Sequence, residues 1–111
     1  MAINRSAKRG VQESLQSVAT TGNGIALALP PSFRDHRVNI QGNGAVGAGA
    51  IQIETASVAD YAGTWSPLGS PITVPADSQV DVNFSGVFGA VRARISTTVT
   101  VGTVTVTYQG N

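Results

Sequence analysis

Three stretches in the last third of the chain alternate apolar and polar residues without losing phase. Val80, Val82 and Phe84 interleave with Gln79, Asp81 and Asn83; Val91, Ala93 and Ile95 with Arg92 and Arg94; and Val104, Val106 and Tyr108 with Thr103, Thr105 and Thr107. A period of two sends successive side chains to opposite faces of an extended strand, so each stretch offers one face to a core and one to water. Val38 and Ile40, flanked by Arg37, Asn39 and Gln41, repeat the pattern, as do Ile51 and Ile53 with Gln52 and Glu54. Ile25, Leu27 and Leu29 alternate with alanines until Pro30-Pro31 stops them. Trp65, Leu68, Ile72 and Val74 fall in two short apolar stretches divided by Pro67, Gly69 and Pro71, which suits edge strands or a β-corner, because proline cannot donate to a central ladder. Short strands separated by Gly, Pro, Asn and Asp turns predict an all-β fold: a two-layer antiparallel β-sandwich, jelly-roll-like, with Val91–Ile95 and Val104–Tyr108 forming a final hairpin.

The first 24 residues break this pattern. Ile3, Ala7, Val11, Leu15 and Val18 recur at spacings of four, four, four and three, one narrow face of a helix interrupted by Gly10. The spacing predicts an extended N-terminal arm over 1–24 with a short helix over Val11–Val18, too short to hold in water without something to pack on. Ala19–Gly24 is a linker by composition, and the sandwich domain is expected over 25–111. Charge follows the same division: up to Arg37 there are five Lys/Arg against two acids, and from Val38 onward two against four. That describes a basic arm on a mildly acidic domain.

Composition narrows the function classes. With 111 residues there is room for one core, and no cysteine is present, which excludes disulfides, thiolate nucleophiles and Cys-ligated metals. Charged residues make up 12%, against a usual quarter, and a surface of neutral polar groups packs against other protein with few ions to desolvate. No apolar stretch approaches the roughly 20 residues of a membrane helix, and the N-terminus lacks an apolar signal region, so a soluble, non-exported chain is expected.

No catalytic, cofactor or metal site is expected. His36, the lone histidine, lies in Arg34-Asp35-His36-Arg37, a stretch expected to be an exposed charged cluster at the start of a strand. No GxSxG elbow accompanies it. Asp60 and Asp77 sit in turn-like sequence, where aspartate bonds its own backbone. The glycines of QGNGAVGAGA match no phosphate-binding spacing and precede β-like sequence rather than a helix. Arg92 and Arg94 share one strand face and are expected to meet a carboxylate of a neighbouring subunit; without interleaved aromatics they give no signal for nucleic acid. Tyr61 and Trp65 could form an aromatic platform for a glycan, though a lone tryptophan more often packs in a core or interface.

Gly63–Val74 (GTWSPLGSPITV), Gln79–Phe84, Ala90–Ser96 and Gly102–Tyr108 together resemble, over about half the chain, a recurrent pattern in small structural proteins of tailed bacteriophages. The resemblance implies a virion protein: a capsid decoration or cement protein, or a neck or tail component, often a homotrimer, mounted on the particle surface and bound to the major capsid protein or another virion protein. Under it the expected partner-binding residues are Arg5, Lys8, Arg9, Val11 and Leu15 of the arm with Arg92 and Arg94, and the expected subunit-interface residues are Phe33, Trp65 and Phe88. A carbohydrate-binding module is the alternative, and neither nucleic acid nor a membrane is an expected partner.

Overall fold

The structure is a computed structural model describing residues 5–6 and 12–18, by their backbone, and residues 22–58 and 60–111 in full. Among the described residues eleven strands run in chain order: β1 (Arg5–Ser6), β2 (Gln12–Val18), β3 (Gly22–Asn23), β4 (Leu27–Ala28), β5 (Asp35–Asn43), β6 (Ala50–Ala56), β7 (Ser66–Pro67), β8 (Ile72–Thr73), β9 (Gln79–Ser85), β10 (Ala90–Thr97) and β11 (Thr103–Gly110). No helix occurs among the described residues, and the fold is the expected antiparallel β-sandwich.

A 4-stranded sheet runs β2-β11-β5-β9; the other sheet centres on β10 and β6. Two of its strands are broken. Both β3 and β4 lie along one edge of β10, bridged by Gly24 N–H to the Ala93 carbonyl, and both β7 and β8 lie along β6, bridged by Leu68 N–H to the Ile53 carbonyl. Pro67 and Pro71 account for the second break, since neither can donate to the ladder. If each broken pair counts as one strand, every connection from β2 to β11 crosses between sheets except the one from β6 to β7. The result is a long hairpin rolled up on itself, β2 against β11, β3/β4 against β10, β5 against β9 and β6 against β7/β8: the jelly roll.

Two expectations are corrected. Gln12–Val18 is a strand, not a helix, pairing antiparallel with β11 with Val18 opposite Val104 and Leu15 opposite Val106. The segment expected as an arm thus supplies the first strand of the roll. The eight-residue helix expected over Val11–Val18 would form few backbone bonds against a costly nucleus, whereas a strand laid on an open edge satisfies its backbone at once. Nor do β10 and β11 form a hairpin: β11 is flanked by β2 and β5, and β10 by β6 and β3/β4, so Thr98–Gly102 carries the chain from one sheet to the other.

The core follows the period-two reading. Val38, Ile40, Val104, Val106 and Tyr108 of one sheet meet Leu27, Ile51, Ile53, Val91, Ala93 and Ile95 of the other, with Leu29 just past β4. With aromatics scarce, aliphatics and alanine fill the layer between sheets. Burying each valine, leucine or isoleucine stabilises by roughly 1.5–3 kcal/mol, and alanine by less, before conformational entropy is charged against it.

Candidate functional site

The outer face of the β6/β10 sheet is built from cross-strand pairs: Ala90 opposite Ala56, Arg92 opposite Glu54 and Arg94 opposite Gln52. Arg92 Nε donates to Glu54 Oε1 at 2.9 Å and Arg94 Nε to Glu54 Oε2 at 3.2 Å, so one carboxylate holds both arginines. The indole of Trp65 lies beside Ala26, Ala56 and Ala90, whose small side chains leave room for it, and the Arg92 guanidinium stacks 4.3 Å from its ring centroid. Trp65 Nε1 donates to the Tyr61 carbonyl at 3.1 Å, and Gln52 Nε2 to the carbonyls of Gly69 at 3.2 Å and Ile53 at 2.9 Å. The 61–71 segment therefore covers a face that alternation marks as wet, and Gln52 and Glu54 are buried beneath it. The partner carboxylate expected for Arg92 and Arg94 lies in the same chain. Trp65, 5% exposed, offers no open platform to a sugar ring.

At one end of the sandwich sits an aromatic cluster around His36. This histidine is buried, not part of an exposed charged cluster: it shares the inward phase of Val38 and Ile40, while Asp35 and Arg37 point outward. Its ring stacks on Phe84 with centroids 4.8 Å apart and meets Phe88 edge-on at 5.7 Å. Nε2 lies 2.9 Å from the Gly86 carbonyl, which can only accept, so Nε2 carries the proton. In the neutral ring Nδ1 then accepts the Tyr108 hydroxyl proton over 2.6 Å. Both ring nitrogens are committed to structure. Burial pushes the Tyr108 phenol up to about 12 by penalising its anion. Gly110 is required here, because a Cβ would strike the Tyr108 hydroxyl and the Phe33 ring.

The remaining broad surface is the outer face of the β2-β11-β5-β9 sheet. Along β5, β9 and β11 it presents Arg37, Asn39, Gln41, Gln79, Asp81, Asn83, Thr105, Thr107 and Gln109, with few charges. Cross-strand bonds hold these side chains in place: Arg37 Nη2 to Gln109 Oε1 at 2.9 Å, Asn39 Nδ2 to Gln79 Oε1 at 3.0 Å and to Asp81 Oδ1 at 2.8 Å, and Asn43 Nδ2 to Thr105 Oγ1 at 3.1 Å. A shallow depression of about 440 Å³ opens beside Arg37, Asn83 and Gln109 at the end of this face. Such a face can exchange hydrogen bonds with a protein partner at little cost in ion desolvation.

A solved prophage protein shares this fold. The crystal structure of the SPBc2 prophage-derived protein YomS matches it with a TM-score of 0.63 and 20% sequence identity, over 91% of this chain and 90% of that one. No family model matches the chain, and no curated protein matches it in sequence. At this identity the likeness is one of fold.

The residues expected at sites are dispersed. Lys8, Arg9 and Val11 lie outside the described residues, Arg5 falls in β1 and Leu15 in β2. Phe33 is buried in the main core and Trp65 in the separate alanine-lined cluster, while Phe88 is partly buried against Phe84 and His36, so the three do not meet at one surface. The polar face of the β5/β11 sheet was legible in the sequence as the wet half of each alternating strand. Its continuity depends on which strands are neighbours.

Proposed function

We propose that this chain is a structural protein of a tailed-bacteriophage virion, and specifically a decoration or cement protein that binds the outer shell where capsomers meet and stabilises it. The observation that carries the reading is the jelly roll shared over nine-tenths of its length with a prophage-derived protein, joined to the sequence resemblance over Gly63–Tyr108. The ordered, charge-poor face of β5, β9 and β11 supports it, as a surface suited to many modest hydrogen bonds with a protein shell rather than to one deep site. On a shell, copies held by several such contacts gain from effective concentration, so avidity replaces a single tight pocket.

The test is co-sedimentation of the purified full chain with emptied heads of the phage whose genome encodes it. The expected result is that the chain pellets with heads and raises the temperature at which they disrupt. Thr107→Arg on the polar face should reduce pelleting without lowering the unfolding midpoint. Pelleting with isolated tails alone would move the protein to the neck or tail, and binding to neither would refute a virion role. Truncating 1–24 is not a clean probe, because it removes β2 and leaves β11 with an open edge.

A further inference from the structure

We propose that two copies of this chain pair edge to edge through β9, antiparallel about a two-fold axis at Val82, joining their four-stranded sheets into one continuous sheet. Among the described strands, β9 is the long regular edge that nothing covers: it pairs with β5 over Asp35–Gln41 without a bulge, and the opposite side has no strand beside it. Its one charge is Asp81, and it has neither proline, lysine nor bulge to protect the edge. The opposite sheet's edge at β7 and β8 is short and broken by Pro67 and Pro71.

The core is unfinished at β9. On β5, His36, Val38 and Ile40 are 3%, 2% and 0% exposed, whereas Phe84, Val82 and Val80 directly opposite them are only partly buried. A strand added beyond β9 would cover them.

The backbone fixes which groups are free. Gly86 N–H donates to the Arg34 carbonyl and Gly42 N–H to the Ser78 carbonyl, so the even-numbered residues of β9 turn their peptide groups toward β5. Gln79, Asp81, Asn83 and Ser85 therefore turn theirs to the open edge. Centring the axis on Val82 sets Asp81 opposite Asn83 of the second copy and Gln79 opposite Ser85, which are the residues with free peptide groups. Each carboxylate then faces an amide donor, and Val80 faces Phe84 on the core side. Centring on Asp81 would set two carboxylates against each other, and centring on Asn83 would push Gln79 past the strand's end. Paired over its full length about Val82, the segment QVDVNFS is thus complementary to itself, which argues for a second copy over an unrelated strand. The resemblance in sequence implies a trimer; this edge favours a dimer, whose polar faces would form one doubled surface.

The experiment is light-scattering mass across a concentration series, with amide exchange followed by NMR. The full chain should be a dimer, and the amides of Asp81 and Asn83 should gain protection as concentration rises. Asn83→Glu, placing a carboxylate opposite Asp81 twice per dimer, should weaken association by about tenfold. Adding Asp81→Lys to it should restore the dimer. A monomer or trimer at all concentrations, or Asp81 and Asn83 amides that exchange independently of concentration, would overturn the proposal. Those results would leave the virion reading untouched, because head binding is measured separately.

Discussion

Replacing Tyr108 by phenylalanine tests the buried cluster at the end of the sandwich. The substitution keeps the ring, which is 2% exposed, and removes the hydroxyl that donates to His36 Nδ1 at 2.6 Å. Near neutral pH the buried imidazole nitrogen loses its donor, at a cost of about 1–3 kcal/mol. The effect changes with pH. Burial raises the Tyr108 phenol from 10.0 to about 12 in the folded chain. A pKa raised on folding contributes stability that is fully present below the unfolded value and disappears as pH climbs through the folded one, because the unfolded chain releases the proton first. Between pH 10 and 12 the native protein should therefore lose about 2 kcal/mol from this residue, since stability falls by at most roughly 1.4 kcal/mol per pH unit between the two values. The phenylalanine variant lacks this loss, so its deficit at pH 8 should shrink and nearly vanish by the top of the window. Urea unfolding at steps between pH 8 and 12, followed by the fluorescence of Trp65, the lone tryptophan, measures both curves. If the two proteins lose stability in parallel above pH 10, the desolvated phenol is not the cause and the reasoning fails.

Two further predictions concern other parts of the fold. Glu54→Ala should destabilise by about 2–3 kcal/mol, at or below the low end for a broken buried pair because Arg94 is 39% exposed; it should cost more than Arg94→Ala, which leaves Glu54 still held by Arg92, and chemical denaturation of the two variants checks the order. Gly42→Ala would drive a Cβ into the Pro75 carbonyl, so a loss of about 1–3 kcal/mol or more is expected, read as a lowered thermal midpoint; an unchanged midpoint would mean the 75–78 turn yields freely.

The sequence by itself determined the fold class and the inward face of the long strands from β5 onward, because the period of a strand is local: Val38 and Ile40, Ile51 and Ile53, and Val104 and Val106 point inward as their alternation says. His36 was legible by the same rule, two residues before Val38, and only its charged neighbours argued for the surface. Tertiary structure alone decided the rest. Whether Gln12–Val18 became helix or strand depended on the open edge of β11 that it found, not on its own spacing. Alternation marks Glu54, Arg92 and Arg94 as outward, yet it cannot see that the 61–71 segment buries Glu54 and lays Trp65 against Arg92, or that Glu54 holds both arginines within the chain. Which strands are neighbours, and hence that β9 is left with an open side, is a property of how the stretches roll together; the long ones from β5 onward carry the same two-residue period, and the period holds no information about its neighbours.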